Sequence, residues 1–243
     1  MHFSNFCANY WFNRSIHLEH KNSHMQSCLS ANLISYHLQH LFLCWLYYTW
    51  KNHIACSHYT PNIVRGKDVI IDMLSEMIDK NRKVLMFGLG YDSKIWHTAN
   101  NSKNIWFVES NQTYIDLNNY IHPQNIIKCD YQNISVKKSF TMQQCDIDKY
   151  EIPNEILWHA PYDLILIDAP TGYNDDCPGR LLPIYWSSKL LSHQNTIIYI
   201  DDTERKLENY CVSKFMQNFG FKKLFLTTTF NRQCVTLKLV RLW

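Results

Sequence analysis

The sequence predicts an α/β protein of Rossmann type, in which a mostly parallel sheet is covered by helices on both faces. Three observations carry that expectation. Short apolar runs alternate with longer amphipathic stretches from about residue 67 onward. The first run ends directly in a glycine pair, Gly88-Leu89-Gly90. The fourth ends in a carboxylate followed by a loop that carries proline and glycine, Asp168-Ala-Pro-Thr-Gly-Tyr173.

Taken in order, Val69, Ile70, Met73, Leu74, Met77 and Ile78 recur at helical spacing and predict a helix that delivers the chain to the sheet. Strands are expected at Lys83 to Phe87, Asn104 to Val108, Asn125 to Cys129, Asp163 to Ile167, Thr196 to Ile200, Lys222 to Thr227 and Val235 to Val240. Between most of them lies enough chain for a helix, as in Thr203 to Phe219. Only a short polar connection, Thr228 to Gln233, separates the last two strands, which therefore read as an antiparallel pair closing a seven-stranded sheet. A mostly parallel sheet with an antiparallel final strand is the methyltransferase variant of the doubly wound fold. Pro61 and Gly66 place a boundary near Tyr59 to Lys67. Residues 1–57 are then an aromatic, helical extension and residues 58–243 the Rossmann-like domain.

Bulk properties narrow the possible partners. With 46% hydrophobic and 19% charged residues, the 243-residue chain has the composition of a folded globular protein. A formal net charge of +3 with no basic run offers no footprint for nucleic acid, and none is expected as a partner. The nine cysteines form no CxxC pair, so reduced and mostly buried thiols are expected rather than a zinc ribbon or a disulfide scaffold. Eight of the twelve histidines fall within the first 58 residues. His17, His20 and His24 could share a helical face, as could His37 and His40, but no carboxylate or cysteine stands at ligand spacing beside them. The run from Leu29 to Trp50 is aromatic and apolar, yet Asn32, His37, Gln39 and His40 interrupt it. It reads as a packing helix in preference to a membrane anchor. No pattern of a cleaved signal peptide is visible in the first 28 residues.

The residues that could carry chemistry sit where the apolar runs end. Gly88 and Gly90 let the backbone turn tightly and approach a ligand, just before a helix expected near Asp92 or Ser93. The third glycine of the dinucleotide fingerprint is absent, since Lys94 and Ile95 follow Ser93. That weighs against a pyrophosphate-bearing cofactor and toward S-adenosylmethionine. Glu109 closes the second strand nineteen residues after Gly90, where such sites accept hydrogen bonds from ribose hydroxyls. Asp130 follows the third strand and could reach an adenine, with Ser110 and Asn111 assisting. Asp168 ends the fourth strand, where it can serve as the base that deprotonates a hydroxyl acceptor or as a metal ligand. Arg180, in Pro178-Gly179-Arg180, reads either as a grip for a substrate carboxylate or as half of a structural salt bridge. Asp201 and Asp202 follow the fifth strand and, with Asp168, could hold a hard cation, or one of them could cap the next helix.

Together these segments resemble the glucuronoxylan 4-O-methyltransferase family, the plant polysaccharide-biosynthesis domain. The matching stretches are Val84 to Trp96 (VLMFGLGYDSKIW), Phe107 to Ser110 (FVES), Tyr162 to Tyr173 (YDLILIDAPTGY), Pro178 to Arg180 (PGR) and Tyr199 to Glu208 (YIDDTERKLE). They occur in order between about His58 and Phe219. The resemblance implies S-adenosylmethionine as methyl donor, the 4-hydroxyl of a glucuronosyl residue on a polysaccharide as acceptor, and stimulation by divalent cations. It implies cofactor roles for Gly88, Gly90, Asp92 and Glu109. Asp168, Tyr173, Arg180, Asp201 and Arg205 would face the acceptor or support its loops. A Golgi location follows if the family pattern holds, and a cytoplasmic one otherwise.

The chain departs from that pattern at two places. Glu109-Ser110 stands where plant members usually have an acidic pair, and Ile200-Asp201 where they have His-Asp. Residues 131–158 show no likeness. Two other functions therefore stay open: a small-molecule O-methyltransferase, and a catalytically silent Rossmann module that binds a nucleoside or a partner protein.

Overall fold

A computed structural model describes residues 67–77, 81–101, 103–131, 133–191, 196–217, 221–227 and 233–239. The expectations for residues 1–57, including the histidine faces and the aromatic run, and for the boundary region after them lie outside the described residues. Helix α1 (Lys67–Met77) leads into β1 (Val84–Phe87), α2 (Ser93–Ala99), β2 (Ile105–Glu109), α3 (Gln112–Leu117) and β3 (Ile126–Lys128). Three short helices follow: α4 (Val136–Ser139), α5 (Gln144–Ile147) and α6 (Asn154–His159). The chain then forms β4 (Leu164–Ile167), α7 (Leu181–Leu190), β5 (Ile197–Ile200), α8 (Lys206–Phe215), β6 (Phe221–Thr227) and β7 (Gln233–Leu239).

The sheet order is β3-β2-β1-β4-β5-β7-β6. The first five strands pair in parallel, and β7 runs antiparallel to both β5 and β6. This is the arrangement that the alternating runs and the short final connection predict. All seven strands lie within two residues of their expected bounds. The three helices between β3 and β4 are not legible in the sequence, because each spans only four to six residues and shows less than two turns of periodicity.

Apolar runs form the sheet because both of its faces are covered. VLMF, IWFVE, LILI and IIYI are buried at every position, as a parallel sheet packed on two sides requires. Helix α7 is buried along nearly its whole length, which suits the apolar run of its first six residues, and only Lys189 stands outside the buried set. At the strands' amino ends, side chains satisfy backbone groups that the ladders leave over. The Lys83 amide donates to Asp163 Oδ2 at 2.8 Å, Asn125 Nδ2 donates to the Ile105 carbonyl at 2.7 Å, and Thr196 Oγ1 donates to the Tyr162 carbonyl at 3.0 Å. Trp106 stacks on His159 with centroids 4.2 Å apart, and Tyr162 donates its hydroxyl to the Ile156 carbonyl, so α6 is fixed beneath the same end.

Strand order reverses between β1 and β4. In sheets of this kind the crevice for a ligand opens outside the carboxyl ends of the strands at such a switch point. The glycine turn after β1 and the Asp168 loop after β4 are the segments that flank it.

Helix α1 is tied to the sheet by one polar contact, in which the fully buried Tyr199 donates its hydroxyl to Asp72 Oδ2 at 2.6 Å. Replacing Tyr199 with Phe is expected to destabilise the protein by about 1–3 kcal/mol. Urea denaturation should show the loss as a lower midpoint at unchanged slope.

Candidate functional site

The glycine turn is built by contacts that a larger side chain would break. Gly88 adopts φ 119°, and a Cβ there would lie 3.0 Å from the Ala169 Cβ, so the turn after β1 packs directly on the loop after β4. Backbone bonds fix both segments: the Gly88 amide donates to the Val108 carbonyl at 2.8 Å, and the Asp168 amide to the Phe87 carbonyl at 3.0 Å. The Gly90 amide donates to Ser93 Oγ at 2.8 Å, closing a turn that opens α2. At Gly90 a Cβ would meet only Asp92 Oδ1 within 4 Å, at 3.1 Å, so the space beside this backbone is otherwise open. Asp92 precedes α2 and accepts from Trp96 Nε1 at 3.0 Å.

Glu109 is buried at the end of β2. Its Oε2 accepts from the Leu89 amide at 2.8 Å, and its Oε1 from the Ser110 and Asn111 amides, each at 2.7 Å. The carboxylate thus clamps the glycine turn to the next loop, and Oε2, which accepts one amide, retains a lone pair for a further donor. Asp130 lies exposed beyond β3. Next to it, Tyr131 is buried with no hydrogen-bond partner for its hydroxyl, and burial, with Cys129 and Glu109 nearby, pushes that phenol well above its ordinary range. The sequence gives no hint of Tyr131, which is one of fifteen tyrosines and stands in no motif.

The carboxyl ends of β4 and β5 meet at Arg180. This residue precedes α7 and is only 3% exposed. Its Nη1 donates to the Asp201 carbonyl at 2.5 Å. Its Nη2 donates to the Asp168 carbonyl at 2.8 Å, to Asp168 Oδ1 at 3.0 Å and to Asp202 Oδ2 at 2.7 Å. Arg205 adds a second cation, with Nη2 2.9 Å from Asp202 Oδ2. Burial opposes the charge on Arg180. The carboxylates of Asp168, Asp202, Asp201 and Glu208 outweigh that effect and raise its affinity for the proton above the ordinary value. Asp202 holds φ 58°, a left-handed conformation that few residues other than glycine adopt, and thereby turns the chain from β5 toward α8.

This geometry favours the salt-bridge reading of Arg180 over the substrate-grip reading. The guanidinium is buried against four acceptors of its own protein, the contacts of a structural bridge, while its Nε has no partner among the described residues. The same contacts bear on a metal. Ligand atoms of Asp168, Asp201 and Asp202 converge within 4.8 Å of one another, as the sequence-based reading of a hard-cation site anticipates. However, the Arg180 guanidinium already bridges Asp168 and Asp202 and supplies positive charge there. The residues as arranged therefore do not fit a divalent cation. Asp168 keeps an accessible side: its side chain is 34% exposed, at the mouth of the crevice.

Loop 168–180 folds back on α8 and α4. Gly179, at φ 70°, would place a Cβ 2.4 Å from Leu207 Cδ2 and 2.9 Å from Val136 Cγ2, so only glycine fits there. Its amide donates to the Thr171 carbonyl at 2.9 Å. Tyr173 projects from the loop and is 73% exposed, close in sequence to Asp168 but not bonded to it by any described contact. Glu208, in the first turn of α8, is buried with no hydrogen-bond partner for either carboxyl oxygen. Burial raises its proton affinity, against the opposing pull of Arg180 and Arg205.

Among the described cysteines, Cys129 and Cys211 are buried, Cys177 is half-buried and Cys145 is exposed, and all four are free thiols. No helix among the described residues is long and apolar enough to cross a membrane.

Comparison with known proteins returns a match over residues 122–223 to the family described as IRX15/IRX15L/GXM. The chain is 25% identical over 186 residues to glucuronoxylan 4-O-methyltransferase 3 of Arabidopsis thaliana, covering 68% of this chain and 61% of that protein. It is also 25% identical over 190 residues to arabinogalactan O-methyltransferase 2 of the same plant, covering 68% and 64%. It thus spans about three-fifths of the length of these relatives. Among solved structures it is similar to human methyltransferase-like protein 13 in complex with SAH, at 11% identity and a TM-score of 0.42, covering 70% of this chain and 75% of that one.

If Arg180 is a buried bridge, Arg180→Met should cost about 3–5 kcal/mol of folding stability, because it leaves Asp168 and Asp202 without their buried partner. A substrate grip would instead leave the denaturation midpoint near that of the unmodified protein.

Proposed function

We propose that the chain is a member of the IRX15/IRX15L/GXM family and that it transfers a methyl group from S-adenosylmethionine to a hydroxyl oxygen of a polysaccharide, the 4-hydroxyl of a glucuronosyl residue being the favoured acceptor. The observation that carries this reading is the contact of Gly88 with Ala169. It sets the glycine turn directly beside the Asp168 loop at the switch point of the sheet, where ligands of such sheets bind. The acceptor class is supported by the relatives, which are named as glucuronoxylan and arabinogalactan O-methyltransferases.

The residues present fit such a donor. The glycine turn offers backbone where side chains would obstruct a ligand, and Glu109 clamps it through the Leu89 amide while Oε2 keeps acceptor capacity for a ribose hydroxyl. The half-exposed Asp92 and the exposed Asp130 would line the ends of that surface. When bound, S-adenosylmethionine supplies an electrophilic methyl carbon on a sulfonium and leaves as a neutral thioether.

The protein's task is then to make a sugar hydroxyl nucleophilic, since its own acidity is very low. Asp168 is the base in this reading: its carboxylate accepts the hydroxyl proton as the new oxygen–carbon bond forms and the sulfur–carbon bond breaks. Arg180 and Asp202 act through Asp168. The guanidinium holds both its carbonyl and Oδ1, and so fixes where the partly exposed carboxylate stands toward the acceptor. Asp201 anchors the same guanidinium through its carbonyl, so its part is to position. Tyr173, exposed on the loop, offers a ring face to the acceptor sugar.

Asp168→Asn keeps an oxygen for Arg180 but cannot take a proton. Transfer of labelled methyl to glucuronosyl oligosaccharides should fall by about 10²–10⁴-fold, with the thermal midpoint little changed. Transfer at the unmodified rate would remove Asp168 from the chemistry. Transfer to small phenols but not to glycans would instead favour the small-molecule acceptor.

A further inference from the structure

The buried Glu208 has no place in the chemistry above, although α8 could have kept an apolar side chain there at lower cost. What surrounds it is specific. A Cβ built on Gly172 would stand 2.9 Å from Glu208 Oε1, with the Gly179 Cα at 3.3 Å and Arg205 Nη1 at 3.6 Å. Gly172 is the residue before Tyr173 and lies four residues after Asp168. One residue earlier on α8, Leu207 fills the space that leaves Gly179 no room for a side chain. The first turn of α8 is therefore the floor of the whole 168–180 loop, with Glu208 under its middle and Leu207 under its far end.

We propose that Glu208 is a positioning residue that braces this loop through Gly172, and so sets where Asp168 and Tyr173 stand toward the acceptor. The proposal rests on the methyltransferase reading for its kinetic consequence but not for the brace itself. Glu208 is 1% exposed and lies among Gly172, Arg180 and Arg205, so its carboxyl has little freedom to swing aside. The close approach of the carboxyl explains why position 172 carries glycine without needing an unusual backbone angle.

The test is a double-mutant cycle on full-length protein. Glu208→Ala is expected to speed proteolytic cleavage within residues 168–180 and to lower kcat/KM for a glucuronosyl oligosaccharide about tenfold, while Kd for S-adenosylhomocysteine changes by less than about twofold. Gly172→Ala should do the same in the unmodified background but add almost nothing in the Glu208→Ala background, where its methyl has room. Glu208→Gln keeps length and volume and should restore most of the loop's protection. It also serves as the readout if the alanine variant fails to fold. Three results would overturn the proposal: unchanged loop cleavage in Glu208→Ala, an equal cost of Gly172→Ala in both backgrounds, or a parallel loss of S-adenosylhomocysteine affinity and melting temperature. If the unmodified protein transfers no methyl group, the methyltransferase reading fails, and loop cleavage still decides whether Glu208 is a brace.

Discussion

A buried guanidinium must be matched by buried anions, and the organisation of the crevice follows from how Arg180 meets that demand. Removing its charge from water is costly unless nearly every donor finds an acceptor. The acceptors it finds come from two strand ends: Asp168 after β4, and Asp201 and Asp202 after β5. Satisfying one side chain therefore sets the relative position of both carboxyl ends, the start of α7 and the turn into α8. Asp202 takes a left-handed backbone to complete the set, a local strain that the surrounding bonds hold in place.

The same arrangement separates structural from reactive carboxylates. Asp201 and Asp202 are buried, and Asp202 is shared between two arginines. Asp168 contributes one oxygen to the bridge and keeps part of its side chain at the crevice. A cluster that looks like a cation site in the sequence therefore carries its own cation, and the carboxylate left partly accessible is the one we propose as the base. Glu109 plays the corresponding part on the cofactor side: three backbone amides converge on its carboxylate, so the glycine turn is held by a side chain from the neighbouring strand.

Much of the fold is legible in the sequence because burial on both faces leaves an unmistakable mark. LILI and IIYI can be little else than central parallel strands once they alternate with helical stretches. The short helices α4 to α6 leave no such mark, because four to six residues do not complete two turns. The candidate site is legible as a set of positions, since turn glycines and strand-end carboxylates announce the carboxyl edge. The partners of each side chain are not legible. Whether Arg180 faces a substrate or a buried carboxylate depends on contacts with residues 12 to 22 positions away in sequence. The role of Glu208 depends on a glycine in another loop.

The central claim is that the crevice between the glycine turn and the Asp168 loop holds a ribose-bearing sulfonium donor. Calorimetric titration of the unmodified protein with S-adenosylhomocysteine tests it most directly. Saturable binding of one equivalent is expected, weakened when Glu109 is replaced by Gln and one of its acceptor oxygens is lost. Absence of measurable heat at millimolar ligand would contradict it.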